Sequence, residues 1–304
     1  MRSFRHFLFS TAIIIGVSAG AVAAQDASGT FFPSAAEGVD KFVAAARAKD
    51  IPALDKMLGP DSRDVLHSGD DQADNNALER FVAAYDVRHK LSEDSGRSTL
   101  SVGADDWPMP IPLVKEANGW RFDTGAGRNE LLARRIGRNE LSTIEACKAF
   151  VDAQREYASV DRGDGLLDYA QRFISTPGKQ DGLYWAAKAG EAESPLGPLF
   201  VKAQAAGYTP GNSGSPQPYN GYYFRILTGQ GPAAKGGAYS YLAHGKLMGG
   251  FALIAIPATY GVSGVMSFIV NQDGQVFQKD LGPNTGTAAA QIKTFDPGSG
   301  WQKA

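Results

Sequence analysis

The strongest constraint on the fold is a run of alternating apolar residues near the C-terminus, from Gly264 to Gly282. Its first half predicts a strand with bulky side chains on both faces: Val265, Ser267 and Ile269 on one, and Met266, Phe268 and Val270 on the other. Asp273-Gly274, in its centre, is a residue pair that favours the positive-φ geometry of a tight hairpin turn. The segment therefore predicts a hairpin that closes a sheet covered on both faces, and not the edge of an active site.

Two further apolar segments precede this hairpin and predict neighbouring strands. Residues 221–229 alternate aromatic and aliphatic side chains, and residues 249–258 are almost continuously apolar. Upstream of both, Ser142 and Glu145 form the capping-box pattern of a helix start. Gly137 is predicted to interrupt any helical segment that reaches this point from the N-terminal side.

The helix predicted from this capping box is strongly amphipathic. Ile144, Cys147 and Val151 recur at helical spacing on one face, whereas charged residues fall mostly on the other. We expect the apolar stripe to pack on one face of the sheet. Cys147 lies on that stripe, so it is predicted to be a buried core thiol and not a reactive one.

The segment between this helix and the strands, residues 161–221, is rich in glycine, proline and tyrosine. It is too long for a bare loop in a compact domain, so short helices are predicted near 168–173 and 198–206. Seven aromatic residues lie in this segment or soon after it: Tyr184, Trp185, Tyr208, Tyr219, Tyr222, Tyr239 and Tyr241.

Aromatic side chains on a permissive backbone often form contact surfaces for glycans or proteins. On this basis Tyr208, Tyr219, Tyr239 and His244 are predicted to be binding residues. If they are not binding residues, the tyrosines would pack against the sheet. His244 would then be either a residue at a hairpin tip or a partly buried histidine.

The first half of the chain reads as helices followed by a small sheet. Helices are predicted over residues 35–49, 50–58 and 77–88, with a polar linker at 70–76. Asn118-Gly119 predicts a tight hairpin turn in a small antiparallel meander. The fold class is therefore α+β: a small α+β domain over residues 30–125, then a domain over 126–304 in which a long amphipathic helix packs on an antiparallel sheet.

The N-terminus has the order of features found in a secretory signal peptide. Arg2 and Arg5 form a basic start, residues 7–17 are apolar, and Ala23-Ala24 provides the small residues of a cleavage site. The apolar run is shorter than the roughly 20 residues that a membrane-spanning helix needs. Residues 1–24 are therefore predicted to be a signal peptide, and the mature protein to be periplasmic or secreted.

Charge and cysteine content narrow the function further. Loss of residues 1–24 would leave 28 basic against 32 acidic residues, a net charge of −4. Nucleic-acid and anionic-membrane binding need concentrated positive charge, so neither partner is predicted. Cys147 is the single cysteine, so no intramolecular disulfide can form and core packing must stabilise the exported chain.

No pattern of a known catalytic or metal site is present. The histidines His67, His89 and His244 lack zinc-ligand spacing, and there is no cysteine pair. The serine-containing segment at 261–265 lacks the Gly-x-Ser-x-Gly arrangement of a hydrolase nucleophile. No catalytic residue, metal or cofactor is therefore predicted.

The segment from Asn220 to Gly282 resembles the C-terminal end of a bacterial exported family named domain of unknown function 2950. The resemblance extends over nearly the whole mature chain and implies export and a shared fold, but no reaction. The helix beginning near Ser142, with the strands after residue 221, is also similar to the globular head of type IV pilin-like proteins. Because a separate domain precedes the helix, only the head architecture would carry over.

Three functions are compatible with these observations. The first is a non-catalytic envelope protein with a binding or assembly role, whose partner is an envelope protein or a glycan. The second is a periplasmic hydrolase acting on cell-wall or glycan material. The third is a small-ligand carrier with a cavity in the N-terminal domain. A hydrolase needs converging polar residues in a cleft, and a carrier needs an enclosed apolar pocket.

Export can be tested on the protein itself. We expect the exported form to begin at Gln25, within a few residues, because the small-residue cleavage site lies just before it. N-terminal sequencing of the mature chain is the measurement, and recovery of an uncleaved, membrane-retained chain would contradict the prediction.

Overall fold

A computed structural model describes residues 29–163, 165–187, 190–209, 216–298 and 300–304. The predicted signal peptide lies outside the described residues. The described chain is a mixture of α-helices and antiparallel sheets, which confirms the α+β class predicted from the sequence.

The N-terminal part contains four α-helices and a five-stranded antiparallel sheet. The helices are α1 (Ala35–Ala48), α2 (Ile51–Leu58), α3 (Arg63–Leu66) and α4 (Asp71–Val87). The strands are β1 (His89–Asp94), β2 (Arg97–Val102), β3 (Trp107–Pro108), β4 (Leu113–Glu116) and β5 (Gly119–Phe122). They pair in the order β1-β2-β4-β5, and β3 pairs with the C-terminal end of β2, at Ser101 and Val102.

Local signals set several of these boundaries as predicted. The Ser34 hydroxyl accepts a hydrogen bond from the Glu37 amide at the start of α1, and the Asp50 carboxylate accepts one from the Ala53 amide at the start of α2. The turn before Gly119, which has a φ of +123°, joins β4 to β5. The helices pack on the sheet around a buried core that includes Leu54, Leu113 and Phe122.

Two predictions for this part are wrong. Residues 70–76 are not a polar linker: Asp70 is the N-cap of α4, and the segment forms the first two turns of that helix. The turn predicted at Asn118-Gly119 lies one residue earlier: Ala117 and Asn118 separate β4 from β5, and Gly119 is the first residue of β5. Strands β1 and β3 have little apolar alternation because most of their side chains are exposed. Their extended conformation depends on pairing with β2, and the spacing of apolar residues in the sequence does not predict that pairing.

A single helix, α5 (Thr124–Tyr157), connects the two halves of the chain. The predictions that Gly137 interrupts the helix and that Ser142 starts a new one are wrong. An exposed glycine within a helix costs only about 1 kcal/mol relative to alanine. The Asn139 side chain donates a hydrogen bond to a backbone carbonyl of the C-terminal part, and the Glu140 carboxylate accepts two from backbone amides there. These bonds hold this stretch of the helix in place.

The C-terminal part contains two short helices and nine strands among its described residues. The helices are α6 (Gly197–Ala205) and α7 (Thr285–Gln291). The main sheet has β6 (Tyr222–Leu227), β11 (Ala252–Pro257), β12 (Met266–Asn271), β13 (Phe277–Asp280) and β14 (Gln302–Lys303), in the order β14-β13-β12-β11-β6. Two small ribbons lie between β6 and β11: β7 (Gly229–Gln230) with β8 (Tyr239–Ser240), and β9 (Leu242–Ala243) with β10 (Lys246–Leu247).

The closing hairpin predicted at 264–282 is confirmed. Met266 pairs with Asp280 and Ile269 with Phe277 in an antiparallel register. Gly274 has a φ of +79°, and its amide donates to the carbonyl of Asn271, which is the tight turn that the Asp-Gly pair predicts.

The main sheet is covered on both faces, as its apolar pattern predicts. On one face, Phe268 and Val270 pack with Cys147 and Phe150 of α5. On the other face, Ile269 packs with a cluster that includes residues of α7 and the C-terminal segment. Cys147 is fully buried, and burial raises the pKa of its thiol to about 12, so it is the core thiol expected from its place on the stripe.

The segment between α5 and the sheet contains one of the two short helices predicted there. Helix α6 confirms the prediction near 198–206. No helix forms at 168–173, where Tyr169 instead makes an antiparallel bridge to Leu247. Among the described residues, no helix combines the length and the apolar character needed to cross a membrane.

The continuity of α5 gives a matched pair of glycine substitutions. We expect Gly137→Ala to raise the free energy of unfolding by about 0.5–1 kcal/mol, because a methyl group there would meet nothing within 4 Å and alanine favours the helix. Gly127→Ala, in the same helix, should lower it by about 1–3 kcal/mol, because its methyl group would lie 2.5 Å from the Pro110 backbone. Urea unfolding measures both, and a destabilised Gly137→Ala variant would contradict a continuous helix.

Candidate functional site

The four predicted binding residues lie in two different places. Tyr208 and Tyr219 contact each other, with ring centroids 5.1 Å apart, beside the N-terminus of α4. Tyr239 lies on strand β8, and His244 lies in the turn between β9 and β10. The structure therefore divides the predicted aromatic surface into a half-buried junction and an exposed hairpin region.

One buried carboxylate, that of Asp70, accepts the hydrogen bonds that hold the junction together. Asp70 is 2% exposed, and its Oδ2 accepts hydrogen bonds from the Tyr208 hydroxyl at 2.9 Å and from the Gly221 amide at 2.8 Å. Its Oδ1 accepts from the Ala73 amide at 3.0 Å, which caps α4. One side chain therefore fixes the start of a helix, a tyrosine and a turn that are far apart in the sequence.

The turn held by Asp70 connects Tyr219 to the first residue of β6. Asn220 and Gly221 both have positive φ, 49° and 77°, and Tyr219 and Tyr222 exchange backbone hydrogen bonds across them. Asn-Gly is the residue pair that such a turn favours. The Asn220 amide also donates to the Tyr208 oxygen at 3.1 Å. The Tyr208 hydroxyl thus donates to one partner and accepts from another within the protein.

Helix α5 completes this junction from its middle turns. Asn139 donates to the Ser263 carbonyl at 2.9 Å, and the Glu140 carboxylate accepts from the amides of Val265 and Met266, both at 2.9 Å. These bonds satisfy backbone groups where β12 begins. We use the name junction for Asp70, Asn139, Glu140, Tyr208 and Gly221.

The electrostatics of the junction follow from burial. Burial is the largest cause that raises the pKa of Tyr208 above its usual value, and the nearby Asp70 carboxylate raises it further. The phenol therefore stays protonated at physiological pH and remains a hydrogen-bond donor to Asp70. This arrangement binds parts of the chain to one another.

The second place is exposed. Tyr239, Leu242 and Met248 are exposed by 40%, 39% and 39%, although large apolar side chains usually favour the interior. His244 and Gly245, with φ of 51° and 77°, form the exposed two-residue turn between β9 and β10, which is the hairpin-tip position expected as its alternative. We call Tyr239, Leu242, His244 and Met248 the hairpin surface.

Buried polar groups hold the hairpin surface rigidly. The Tyr241 hydroxyl donates to Gln230 Oε1 at 2.9 Å, and both side chains are buried. The Gln230 amide nitrogen donates to the carbonyls of Lys235 and Gly237, both at 2.7 Å. The backbone at Met248 is held by a hydrogen bond from its amide to the Tyr241 carbonyl. The apolar groups therefore project from a braced backbone.

Leu242 and Met248 were not predicted to be exposed. A single apolar residue in or beside a two-residue strand has no periodic pattern that would show whether its side chain faces the core or the solvent. The Asn220-Gly221 pair did carry a readable turn signal. Tyr208 and Tyr219 were predicted from composition alone, which does not distinguish a half-buried aromatic side chain that the fold engages from an exposed one.

A shallow pocket of about 290 Å³ lies elsewhere in the C-terminal part. Its lining includes Lys293, Thr294, Asp296 and Trp301. Asp296 is engaged by the chain itself, since its Oδ1 accepts from the Ala233 amide at 2.9 Å. Within the described ranges, no group of three or more His, Cys, Asp or Glu side chains is placed to hold a metal ion.

Fold and surfaces together define an α+β protein in which one long helix joins a small helix-and-sheet unit to a larger antiparallel sheet. The family model described as Protein of unknown function (DUF2950) matches residues 29–304, so the chain belongs to that family. The resemblance noted from the C-terminal third is thereby confirmed. The chain matches no curated protein and no solved structure, so the likeness to a pilin head stays a prediction.

The role of Tyr208 in the junction gives a stability prediction. Tyr208→Phe removes a donor to the buried Asp70 carboxylate, so we expect the free energy of unfolding to fall by about 2 kcal/mol. Tyr260→Phe is the matched control, because it removes a tyrosine–aspartate hydrogen bond that is exposed, to Asp280, and should change stability by less than about 0.5 kcal/mol. Equal effects in urea unfolding would contradict the central role of Asp70.

Proposed function

We propose that this protein is an exported, non-catalytic binding protein of the cell envelope, and that the hairpin surface contacts a partner protein. The observation that carries the proposal is the exposure of Tyr239, Leu242 and Met248 on a braced backbone. Export is supported by the basic, apolar and small-residue order of residues 1–24.

Side-chain chemistry favours a protein as the partner. Tyrosine and methionine are enriched in protein interfaces, where they supply a large contact area, and leucine adds apolar surface. A glycan site would surround an aromatic ring with hydrogen-bonding side chains. Here the Tyr239 hydroxyl donates to the Gly249 carbonyl at 3.3 Å, and Leu242 and Met248 add exposed apolar side chains.

Rigidity supports the same proposal. A contact surface that is ordered before binding loses little conformational entropy when the partner docks. The buried Gln230–Tyr241 pair provides this order directly beneath the hairpin surface. Tyr208 of the junction contributes nothing comparable, because its hydroxyl donates to Asp70 and accepts from the Asn220 amide within the protein.

Substitution at the hairpin surface tests the proposal. Tyr239→Ala combined with Met248→Ala should weaken binding to a partner captured from envelope extract by about 2 kcal/mol or more, roughly 30-fold, because both side chains would lie at the contact. The melting temperature should change little, since both side chains are partly exposed. Binding is measured with the purified partner by titration calorimetry.

Tyr260→Ala is the control, because it removes a tyrosine that lies outside the hairpin surface. It should leave the affinity unchanged. If the double variant binds as tightly as the unaltered protein, the contact lies elsewhere. Specific retention of a glycan in place of a protein would contradict the choice of partner.

A further inference from the structure

Three arginines that neither the junction nor the hairpin surface uses lie on α4 and in the middle of α5, and the charges of Arg80 and Arg134 act on Arg138. Arg134 and Arg138 are four residues apart on α5, so they leave the same side of the helix. Helix α4 runs beside this part of α5, since the Asp74 carboxylate lies 4.0 Å from the Arg135 guanidinium. Arg80 follows less than two turns further along α4. We call Arg80, Arg134 and Arg138 the arginine cluster.

Arg134 is held by an aromatic ring. Its guanidinium lies 4.6 Å from the ring centroid of Trp107, which belongs to β3 and is 39% exposed. The Arg134 Nε also donates to Glu130, one turn earlier in α5, at 2.6 Å. The stacked ring and the carboxylate together fix the plane of the guanidinium before any ligand arrives.

The positive charge of the cluster is not neutralised. Glu130 is the one carboxylate paired with it, and within the described parts of the chain neither Arg80 nor Arg138 has an ion pair. Three guanidinium groups and one carboxylate give a local charge of +2. Burial is the largest cause that lowers the pKa of Arg138, and the charges of Arg80 and Arg134 lower it further.

One donor within the cluster lacks a partner. Arg134 Nη1 is inaccessible to solvent and makes no hydrogen bond with the described residues. A buried polar group without a partner costs about 1–3 kcal/mol, so native proteins rarely leave one unless a ligand or an ordered water satisfies it. The next residue of α5 differs in this respect, because the Arg135 guanidinium donates to the carbonyls of Asp64 and Val65.

We propose that the arginine cluster is a binding site for a phosphate monoester dianion, with Arg134 oriented by Trp107 and with Arg80 and Arg138 supplying further positive charge from α4 and α5. The local charge of +2 matches the charge of a phosphate monoester above its second pKa, which is about 6. Guanidinium groups suit this ligand because their parallel N–H donors bind two oxygens at once. The site lies on the N-terminal part, apart from the hairpin surface.

A ligand-binding arginine and a structural one respond oppositely to substitution. If Arg138 only stabilised the fold, Arg138→Gln would lower the melting temperature of the free protein. If it serves a ligand, its removal relieves repulsion from Arg80 and Arg134, so the free protein should melt at the same temperature or higher. The same variant should no longer bind phosphate measurably, because it lacks one of the guanidinium groups that bind two phosphate oxygens at once.

The experiment measures the melting temperature of the full mature chain at pH 7.5 against rising inorganic phosphate, with sodium chloride at equal ionic strength as the reference. We expect a saturable rise with phosphate alone, because a ligand that binds only the folded state stabilises it. Arg138→Gln and Arg80→Gln should abolish the rise. Arg97→Gln, which removes an exposed arginine on β2 that has no ion pair among the described residues, should retain it.

Tryptophan emission provides a second readout. Phosphate binding should change the emission of the unaltered protein, and Trp107→Phe should remove that change, because Trp107 stacks on the ligand-binding guanidinium. Glucose 6-phosphate and vesicles containing phosphatidic acid distinguish the source of the phosphate: tighter binding of the first indicates a soluble phosphosugar, and cosedimentation with the second indicates a lipid headgroup. Equal melting curves in phosphate and chloride, or a phosphate response that survives Arg138→Gln, would overturn the proposal.

Discussion

The rest of the structure depends on the buried carboxylate of Asp70. A carboxylate out of contact with water is costly unless hydrogen bonds satisfy it, and here the amides of Ala73 and Gly221 and the hydroxyl of Tyr208 do so. Those partners belong to α4, to the turn before β6 and to the end of the α6 segment. The same requirement that stabilises the ion therefore brings three distant segments together, and α5 adds Asn139 and Glu140 beside them.

The junction also explains which parts of the fold could be predicted. Caps and turns depend on residues a few positions apart, so Ser34, Asp50 and the Asp273-Gly274 turn were readable. The two faces of the closing hairpin followed from the period of its apolar residues. By contrast, the start of α4 at residues 70–76 is rich in aspartate and asparagine, which are poor helix formers. Contacts with residues more than 100 positions away stabilise it, and no local pattern reports them.

The same limit applies to the functional surfaces. Composition indicated a glycine-rich aromatic region, but hydrogen bonding and exposure divide it: the half-buried Tyr208 donates to Asp70, whereas Tyr239 is exposed near Met248. Which tyrosine is available to a partner depends on the buried Gln230–Tyr241 pair and on the turn at His244. Arg134 and Arg138 did have a readable signal, their spacing of four along a helix, but the predicted break at Gly137 separated them into different elements. The continuity of α5 is therefore what makes the cluster recognisable.

The junction and the arginine cluster treat charge in opposite ways, although both lie along α4 and α5. At the junction each charged group is satisfied by the protein: the carboxylates of Asp70 and Glu140 accept hydrogen bonds from backbone amides and, for Asp70, from Tyr208. In the cluster, the charges of Arg80 and Arg134 act against that of Arg138, and among the residues that the structure describes Arg80 and Arg138 form no ion pair. Selection for stability alone would pair or replace such residues, because uncompensated like charges lower the stability of the folded state. The residues that remain unsatisfied beside a well-satisfied network are thus the ones whose partner is best sought outside the chain.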